Sequence, residues 1–489
     1  MTNCHFDFQG VLAFDNYTKG RVATRRFCLY GGYKMITDQG QLKKFNEDEL
    51  TQYYFEILRE LVSKKSIFAQ QVGLVETSSY LGKIFENAGA DVTVDDSYAA
   101  PFVIARFNSS NPKAKSLIFY NHYDVQPADA DQPWTAEPFK LDIRDGYMYG
   151  RGVDDDKGHI IARLTAIAKY LKSARDLPVN ITFIVEGAEE SASVDFEKYL
   201  EKYATELRGA DLLIWEQGIR NAKGQIEISG GTKGIVTFDM LVESADVDIH
   251  SKFGAIIDSS SWYLLNAIAS LRDQTGRIAV EGIYDHVQQP TEQELALARE
   301  NANLDWDSLV NLYQLSLPSL VNNQEELVQR LFFEPALTIE GLETGYQGQG
   351  VKTILPAQAS AKMEVRLVPG MDPQDVLEKI KRHLVKHGYD RVKLVYTLGE
   401  KAYRSDMTAP AIRRVIDIAQ QFSPEGVSVL PTTAGTGPMH QVFEALEVPI
   451  AAFGIGNPNS RDHGGDENVK LADYYTHIEM IEELIKSYE

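Results

Sequence analysis

The sequence has 489 residues, of which 44% are hydrophobic and 24% are charged, and a formal net charge of -21 at pH 7. This balance is typical of a folded globular protein, and the length exceeds that of one ordinary hydrophobic core, so two packed units are expected. The negative charge argues against nucleic acid or an anionic membrane as a partner, because both would repel the chain. No apolar run is long enough to span a bilayer.

The segment 1–34 is predicted to be an extension outside the folded core. It is poor in acids and has no clear periodicity, whereas helical sequence follows soon after Met35. The basic cluster around Arg25 could belong to a targeting leader, but no apolar core of the signal type follows it. Both cysteines, Cys4 and Cys28, lie in this extension. We therefore expect no disulfide framework and a cytoplasmic location.

Residues 35–230 are predicted to form the first part of an α/β domain. Apolar residues recur at helical spacing over 46–62 and 77–87. Four short apolar runs then indicate buried strands, and an amphipathic helix around Leu164 separates the second strand from the third. The predicted strands are 102–107, 116–120, 180–185 and 211–215. This alternation predicts a mostly parallel sheet with helices on both faces.

Residues 231–400 are predicted to form a smaller α+β domain of two layers. Its predicted strands are 234–242, 361–367 and 392–398, and its predicted helices are 259–271 and 373–386. A polar, helix-rich segment, 289–328, lies between them. After this segment the alternation of helices with apolar, strand-like runs returns over 401–489. It consists of a helix at 409–422, an apolar run at 448–453 and a closing helix at 471–488. The smaller domain is therefore predicted to be inserted into the larger one.

Polar side chains follow the predicted strands at the edge where open α/β sheets bind ligands, beyond the carboxyl ends of the strands. The residues are His122 and Asp124 after 116–120, Glu189 and Glu190 after 180–185, Glu216 after 211–215, and His463 after 448–453. Asp154, Asp155 and Asp156 follow a strand-like YMYG segment. We expect these imidazoles and carboxylates to converge on one rim of one sheet.

Each of these residues has a structural explanation when it is taken alone. A histidine after a strand is commonly a hydrogen-bonded surface residue, an acidic pair can start a solvated helix, and an aspartate can cap one. Five such coincidences on one sheet edge need a common cause. Two divalent cations roughly 3.5–4 Å apart supply it, because they need a bridging carboxylate and further His and carboxylate ligands.

The ligand types indicate a catalytic centre rather than a structural zinc site, since no cysteine lies nearby. In a two-metal hydrolase the ions lower the pKa of a bound water to roughly 7 and polarise the carbonyl under attack. A neighbouring carboxylate must then take the proton. Of Glu189 and Glu190, one would bind metal and the other would act as general base.

The chain resembles the zinc-dependent carnosinase, dipeptidase, aminoacylase and carboxypeptidase superfamily, and carnosinase-like dipeptidases in particular. The resemblance lies in NHYDVQPAD, YGRGVDDDKG and EGAEES, followed by a lone histidine near DHGGDEN. It covers nearly everything from Met35 onward, with the motifs in the family's order. It implies two metal ions per subunit, zinc or else manganese or cobalt, and a catalytic domain interrupted by a lid that also forms a homodimer.

The resemblance also implies the roles of individual residues. His122 and Glu216 would hold one metal, Glu190 and His463 would hold the other, and Asp155, two residues before the Lys-Gly pair, would bridge them. The remaining residues are Glu189 as general base, Asp124 as acceptor of a hydrogen bond from His122, His250 as a transition-state donor in the neighbouring subunit's site, Arg366 as the carboxylate clamp, and Thr436 and Gly437 as the substrate loop.

The sequence departs from the family pattern at three positions, one of which is Asp462 before His463. Asp154 stands where a small or hydroxylic residue is usual, and Glu216 stands where dipeptidases more often have Asp. We expect a peptidase, either a dipeptidase or an exopeptidase, that acts on a short peptide with a free carboxylate. An N-acyl amino-acid amidohydrolase and a catalytically inactive binding or scaffold protein are the alternatives.

His383 and His387 are predicted to lie on a helix surface and not to bind metal.

Overall fold

The computed structural model of the protein describes residues 38–129, 132–302, 304 and 306–489. The predicted extension 1–34, the predicted start of the core at Met35 and both cysteines, Cys4 and Cys28, lie outside the described residues. None of the helices in the described ranges is both long and apolar enough to cross a membrane.

The helices of the described residues alternate with strands along most of the chain. They are α1 Asp38–Glu47, α2 Glu49–Ser63, α3 Leu74–Asn87, α4 Lys157–Ala174, α5 Phe196–Leu207, α6 Ser260–Ser270, α7 Glu292–Asn301, α8 Trp306–Tyr313, α9 Gln324–Phe333, α10 Pro373–Lys386, α11 Pro410–Phe422, α12 Met439–Leu446 and α13 Leu471–Lys486.

The strands fall into one large sheet, one smaller sheet and short pairs. They are β1 Asp91–Asp95, β2 Phe102–Phe107, β3 Ser116–His122, β4 Asp142–Arg144, β5 Tyr147–Tyr149, β6 Asn180–Glu186, β7 Leu212–Trp215, β8 Ile226–Ser229, β9 Gly231–Thr232, β10 Gly234–Glu243, β11 Ile249–His250, β12 Ala336–Thr344, β13 Ile354–Leu355, β14 Gln358–Leu367, β15 Lys393–Glu400, β16 Tyr403–Arg404, β17 Val427–Leu430, β18 Ile450–Ala452 and β19 Asn468–Lys470.

The large sheet has the strand order β1-β2-β6-β3-β7-β18-β8-β17 within the described residues. Its centre is parallel, with Ser116 of β3 beside Asn180 of β6 and Leu117 beside Leu212 of β7. β1 and β2 run antiparallel at one edge, and β8 runs antiparallel to β18 but parallel to β17. The prediction of a mostly parallel sheet is confirmed, and the ends of β3, β6 and β7 meet at one edge.

Helices cover both faces of this sheet. On one face, Leu58 of α2 and Ile161 of α4 are fully buried in the core beneath the strands. On the other face, Leu200 of α5 and Val442 of α12 pack with Ile118 of β3. Burial of one such side chain contributes roughly 1.5–3 kcal/mol, so the two cores fix the sheet and therefore the edge on which the polar residues lie.

The smaller sheet is antiparallel, with the order β12-β14-β10-β15. It has a core of its own, in which Phe238 and Met363 of the strands contact residues such as Leu264 of α6 and Ile380 of α10. All of these residues lie between positions 231 and 400. The boundaries of the predicted domains at 230/231 and 400/401 stay predictions.

Two local predictions are wrong. The segment 46–62 is not one helix, because Asp48 separates α1 from α2 and its carboxylate accepts hydrogen bonds from the N–H groups of Leu50 and Thr51. His383 is buried and not on the surface, since it lies on the inner side of α10 with its Nε2 3.2 Å from the hydroxyl of Ser270.

Candidate metal centre

A cluster of imidazoles and carboxylates lies at the carboxyl ends of the central strands. His122 is the last residue of β3, Glu216 follows β7 directly, and Glu189 and Glu190 form a short 3-10 helix just after β6. Neighbouring parallel strands end at the same edge of a sheet, so the fold brings together residues that are far apart in sequence.

Asp155 lies between two histidines. Its Oδ1 is 2.8 Å from Nε2 of His122, and its Oδ2 is 3.0 Å from Nε2 of His463. The His463 Nε2 is also 3.1 Å from Oε2 of Glu190, and the His122 Nε2 is 3.8 Å from Oε2 of Glu216. The cluster thus divides into two halves, each with one histidine and one glutamate, which share Asp155.

The neighbouring Asp156 has a different environment. One of its oxygens lies within ligand range of His122 and Glu216. Its Oδ2, however, accepts hydrogen bonds from the Asn121 side chain at 2.6 Å and from the backbone N–H of His122 at 3.2 Å, and its Oδ1 is 2.9 Å from Nδ1 of His159. Protein donors therefore engage Oδ2 of Asp156, while its Oδ1 is buried without a hydrogen-bond partner among the described residues, since Nδ1 of His159 bonds to the backbone oxygen of Asp154. Both carboxylate oxygens of Asp155, in contrast, face the two imidazoles.

The simpler explanations of the acidic residues do not fit their positions. Asp156 is at the N-cap of α4, but its side chain makes no capping hydrogen bond. Glu190 belongs to a short 3-10 helix and not to the start of a solvated α-helix, and its side chain is only 5% exposed. Neither residue therefore acts as the helix cap or solvated helix start that the sequence also allowed.

Asp124 organises the loop that carries the two glutamates. Its Oδ1 accepts a hydrogen bond from the backbone N–H of Glu189 and its Oδ2 accepts one from Glu190, both at 3.1 Å. The predicted hydrogen bond from His122 goes to the backbone oxygen of Asp124 at 3.0 Å, while the nearer carboxylate oxygen is 3.4 Å from Nδ1. A donating Nδ1 leaves Nε2 free of its proton and facing the cluster.

Two buried charged residues, Glu467 and Arg163, hold the backbone segments that carry the cluster, and neither was predicted from the sequence. Glu467 pairs with Arg151 at 2.8 Å and accepts hydrogen bonds from the backbone N–H groups of Gly152, Asp154 and Asp155. It therefore fixes the loop that presents Asp155.

Arg163 of α4 is the second missed residue. Its guanidinium donates hydrogen bonds to the backbone oxygens of Tyr120, Trp215 and Glu216. It thereby ties together the ends of β3 and β7. One signal in the sequence could have identified Arg163. It is a basic residue at a position of α4 where the helical spacing predicts a side chain that faces the core.

The bare cluster has an excess of negative charge. Burial raises the pKa of Glu189 well above its usual range, and the charges of Asp155 and Glu190 add to this rise although His122 opposes it. Burial and the carboxylate of Glu189 likewise raise the pKa of Glu216. Hydrogen bonds to Asp155 and Glu190 raise the pKa of His463 to about 11. Cations placed between these groups would remove the repulsion.

The donor set fits divalent metal ions. Oε2 of Glu216 is buried and has no hydrogen-bond partner among the described residues, which is costly for a carboxylate oxygen unless a cation binds it. The two halves are mixtures of imidazole and carboxylate, which suit zinc, manganese and cobalt. His122 is fully buried and the His463 side chain is 58% exposed, so the second half opens to solvent.

Comparison with known proteins identifies the family. The model of Peptidase family M20/M25/M40 matches residues 118–487, which include all the residues of the cluster. The chain belongs to this family. The predicted resemblance and the prediction of a metal-dependent peptidase are therefore confirmed.

The M20 peptidase is similar to curated dipeptidases and to a solved carboxypeptidase. Human Beta-Ala-His dipeptidase is 30% identical over 385 residues, which cover 76% of this chain and 75% of that protein. The Cys-Gly metallodipeptidase DUG1 of Saccharomyces cerevisiae is 28% identical over 391 residues, which cover 76% of this chain and 79% of that protein. The structure of the M20 family metallo-carboxypeptidase Sso-CP2 from Sulfolobus solfataricus matches with a TM-score of 0.82 and 33% identity, covering 90% of this chain and 99% of that chain.

Two of the predicted substrate residues of the M20 peptidase, Arg366 and Thr436, contact each other. Nη1 of Arg366, on β14, donates a hydrogen bond to Oγ1 of Thr436 at 2.6 Å. The other edge of the guanidinium is paired with Glu364, with Nε 2.6 Å from Oε1. Gly437 lies next to the ring of Trp215, since a Cβ at this glycine would be 3.7 Å from Cζ2. Strand β14 and the loop that carries Thr436 and Gly437 thus meet, and this loop lines a cavity together with Glu216.

His250 has no hydrogen bond to the metal cluster within the described residues. It is exposed at the end of β11, where its Nδ1 accepts a hydrogen bond from the backbone N–H of Lys252 at 3.1 Å. Among the described residues, no cluster residue is within hydrogen-bonding distance of it. The site of a single chain therefore forms without His250.

Proposed function

We propose that this M20 peptidase is a two-metal dipeptidase or exopeptidase that cleaves a short peptide with a free carboxylate. The observation that carries the proposal is the position of Asp155 between two histidines, each of which has its own glutamate. The names of the similar curated proteins, a Beta-Ala-His dipeptidase and a Cys-Gly metallodipeptidase, support a dipeptide substrate.

In this proposal His122 and Glu216 would hold one ion, His463 and Glu190 would hold the other, and Asp155 would serve both. The ions are zinc, with manganese or cobalt as substitutes that the same ligands would accept. When bound, they supply a water of lowered pKa and polarise the scissile carbonyl. Asp124 positions Glu190 through its backbone N–H, and Glu467 positions Asp155 in the same way.

Glu189 is the general base in this scheme. Glu190 is already engaged, because Oε2 accepts a hydrogen bond from the side chain of Gln126 at 2.8 Å and lies beside His463. No side chain among the described residues donates a hydrogen bond to the Glu189 carboxylate, so this group is free to take a proton from the attacking water and pass it to the leaving amine. Its burial beside the proposed ligands suits this task.

The substrate's carboxylate binds at Arg366, next to Thr436 and Gly437. A guanidinium forms bidentate pairs with carboxylates. Glu364 accepts hydrogen bonds from Nε and Nη2 of Arg366 at 2.6 and 3.2 Å, so Nη1, which faces Thr436, is the nitrogen that Glu364 does not engage. His250 is proposed to serve the site of a second subunit in a homodimer formed through the lids, because it is exposed and remote from the cluster of its own chain. The cytoplasm stays the predicted location.

The proposal is tested by comparing substrate classes on the metal-loaded protein. Dipeptides, tripeptides and N-acyl amino acids are incubated with it, and kcat/KM is measured for each. We expect dipeptides to be preferred. Preference for N-acyl amino acids would identify an amidohydrolase of the same family, and no hydrolysis of any substrate at full metal content would identify an inactive binding protein.

A further inference from the structure

A cavity of about 230 Å³ opens directly beside the metal centre. Its floor consists of the adjacent strands β7, β18 and β8 and includes Trp215, Ala452 and Ser229. Glu216 and Thr436 also line it. Since one water occupies roughly 30 Å³ of liquid, the space holds roughly seven waters or one long amino-acid side chain.

An acidic residue, Glu227, lies on the floor of this cavity. It stands in β8 between Ile226 and Ile228, whose side chains pack in the core beneath the sheet. Successive residues of a strand point to opposite faces, so Glu227 and Ser229 face the cavity, and both line it.

Glu227 has no partner for its charge. Among the described residues, no side chain donates a hydrogen bond to its carboxylate or forms an ion pair with it. Burial alone raises the pKa of Glu227 to about 7. By contrast, the similarly buried Glu400 accepts a hydrogen bond from Gln441.

The other carboxyl groups of the cavity are already engaged. Asp154 and Asp462 form its wall towards the metal centre and hydrogen-bond to each other. Glu216 belongs to the metal ligand set. Glu227 is therefore the carboxylate whose desolvation a bound cationic group would offset.

The cavity lies on the side of the centre where the substrate's carboxylate is expected. Thr436 lines it and accepts a hydrogen bond from Arg366 at 2.6 Å. A residue whose carboxylate is held by Arg366 can therefore direct its own side chain past Thr436 towards Glu227. This step rests on the proposed function.

We propose that the cavity binds the side chain of the substrate's C-terminal residue and that Glu227 selects a positively charged one, lysine or arginine. A lysine or arginine side chain brings the missing charge, and the cavity of about 230 Å³ has room for one long side chain. The C-terminal glycine of a Cys-Gly substrate would leave the cavity empty.

The kinetic test compares Ala-Lys with Ala-norleucine, which differ chiefly in the side-chain ammonium group. In the wild type, kcat/KM for Ala-Lys should exceed that for Ala-norleucine by roughly 10–100-fold, the usual scale when a buried polar partner is gained. Glu227→Gln should remove this preference and leave Ala-norleucine within about two-fold of wild type. Glu201→Gln, the same change at an exposed position of α5, is the matched control and should behave as wild type.

A binding measurement keeps this inference separate from the proposed activity. Isothermal titration calorimetry of the metal-loaded protein should show tighter binding of L-lysine than of L-norleucine, and Glu227→Gln should abolish the difference. Equal binding of the two amino acids to the wild type would overturn the inference. An equal loss of Ala-Lys and Ala-norleucine hydrolysis in Glu227→Gln would overturn it as well, because that result would place the substrate's α-ammonium at Glu227. Selective lysine binding without hydrolysis of either dipeptide would support the cavity assignment and refute the peptidase function. Ala-norleucine hydrolysis without any lysine preference would do the reverse.

Discussion

The substitution Asp124→Asn tests how the protein positions its two glutamates. In the structure each carboxylate oxygen of Asp124 accepts one hydrogen bond at 3.1 Å, from the backbone N–H of Glu189 and of Glu190 respectively. Asparagine keeps one acceptor oxygen and replaces the other by an NH₂ group. One of the two backbone N–H groups would then face another donor.

The expected loss is that of one hydrogen bond to a charged acceptor, which is about 1.5–3 kcal/mol. This loss acts on the loop that carries Glu190, the proposed ligand, and Glu189, the proposed base. We therefore expect metal affinity to fall by roughly 10–100-fold, as is usual when a residue that orients a ligand is replaced. The value of kcat should fall as well, because Glu189 is displaced together with Glu190.

Metal affinity is measured by competition with a chromogenic chelator, and kcat is measured with a dipeptide at saturating metal. Asp417→Asn on α11 removes the same charge at an exposed position and should leave both quantities unchanged. If Asp124→Asn also binds metal and turns over substrate as the wild type does, its two hydrogen bonds do not position the glutamates.

Four further outcomes follow from the same centre. Removal of metal by a chelator should abolish hydrolysis and lower the melting temperature, since ions that bind only the folded state stabilise it; full activity of protein that elemental analysis shows to be metal-free would refute the two-metal proposal. Glu189→Gln should lower kcat by roughly 10²–10⁴-fold with metal content retained, whereas loss of metal with activity restored on reloading would make Glu189 a ligand. Arg366→Lys should impair free-acid peptides much more than their amides, because lysine cannot form the bidentate pair, and an equal loss on both would leave Arg366 a structural role. Mixing His250→Ala with Glu189→Gln under verified subunit exchange should restore about a quarter of wild-type activity if each His250 serves its partner, and no recovery would exclude that role.

The sequence was sufficient to predict the parts of the site that depend on strand order. His122, Glu190 and Glu216 each follow a short apolar run, and parallel strands bring such positions together whatever the details of packing. The strand 102–107 and the helix 373–386 have the predicted bounds, since apolar runs and helical spacing mark them clearly.

Other features could not be predicted because they depend on packing in three dimensions. Three adjacent aspartates carry the same local signal, and the sequence separated Asp155 from its neighbours only through the family resemblance. In the structure, the Asn121 amide and the His122 N–H bind Oδ2 of Asp156, whereas both oxygens of Asp155 face histidines. Arg163 resembles a surface residue in sequence, yet it is fully buried and binds the ends of two strands. The edge strand β12 was not predicted, since most of its residues are exposed and lack alternation.

The contact between Glu467 and Asp155 joins positions that are 312 residues apart, and the contact of His463 with Asp155 spans 308. Chains leave the ribosome at about 5–20 residues per second, so roughly 15–60 s pass between the synthesis of Asp155 and that of Glu467. Throughout this interval Asp155 lacks its hydrogen bond to Glu467 and its contact with His463. If Asp155 and His463 hold metal as proposed, a growing chain would lack part of the centre, and we expect metal loading and hydrolysis only after the last segment has been translated.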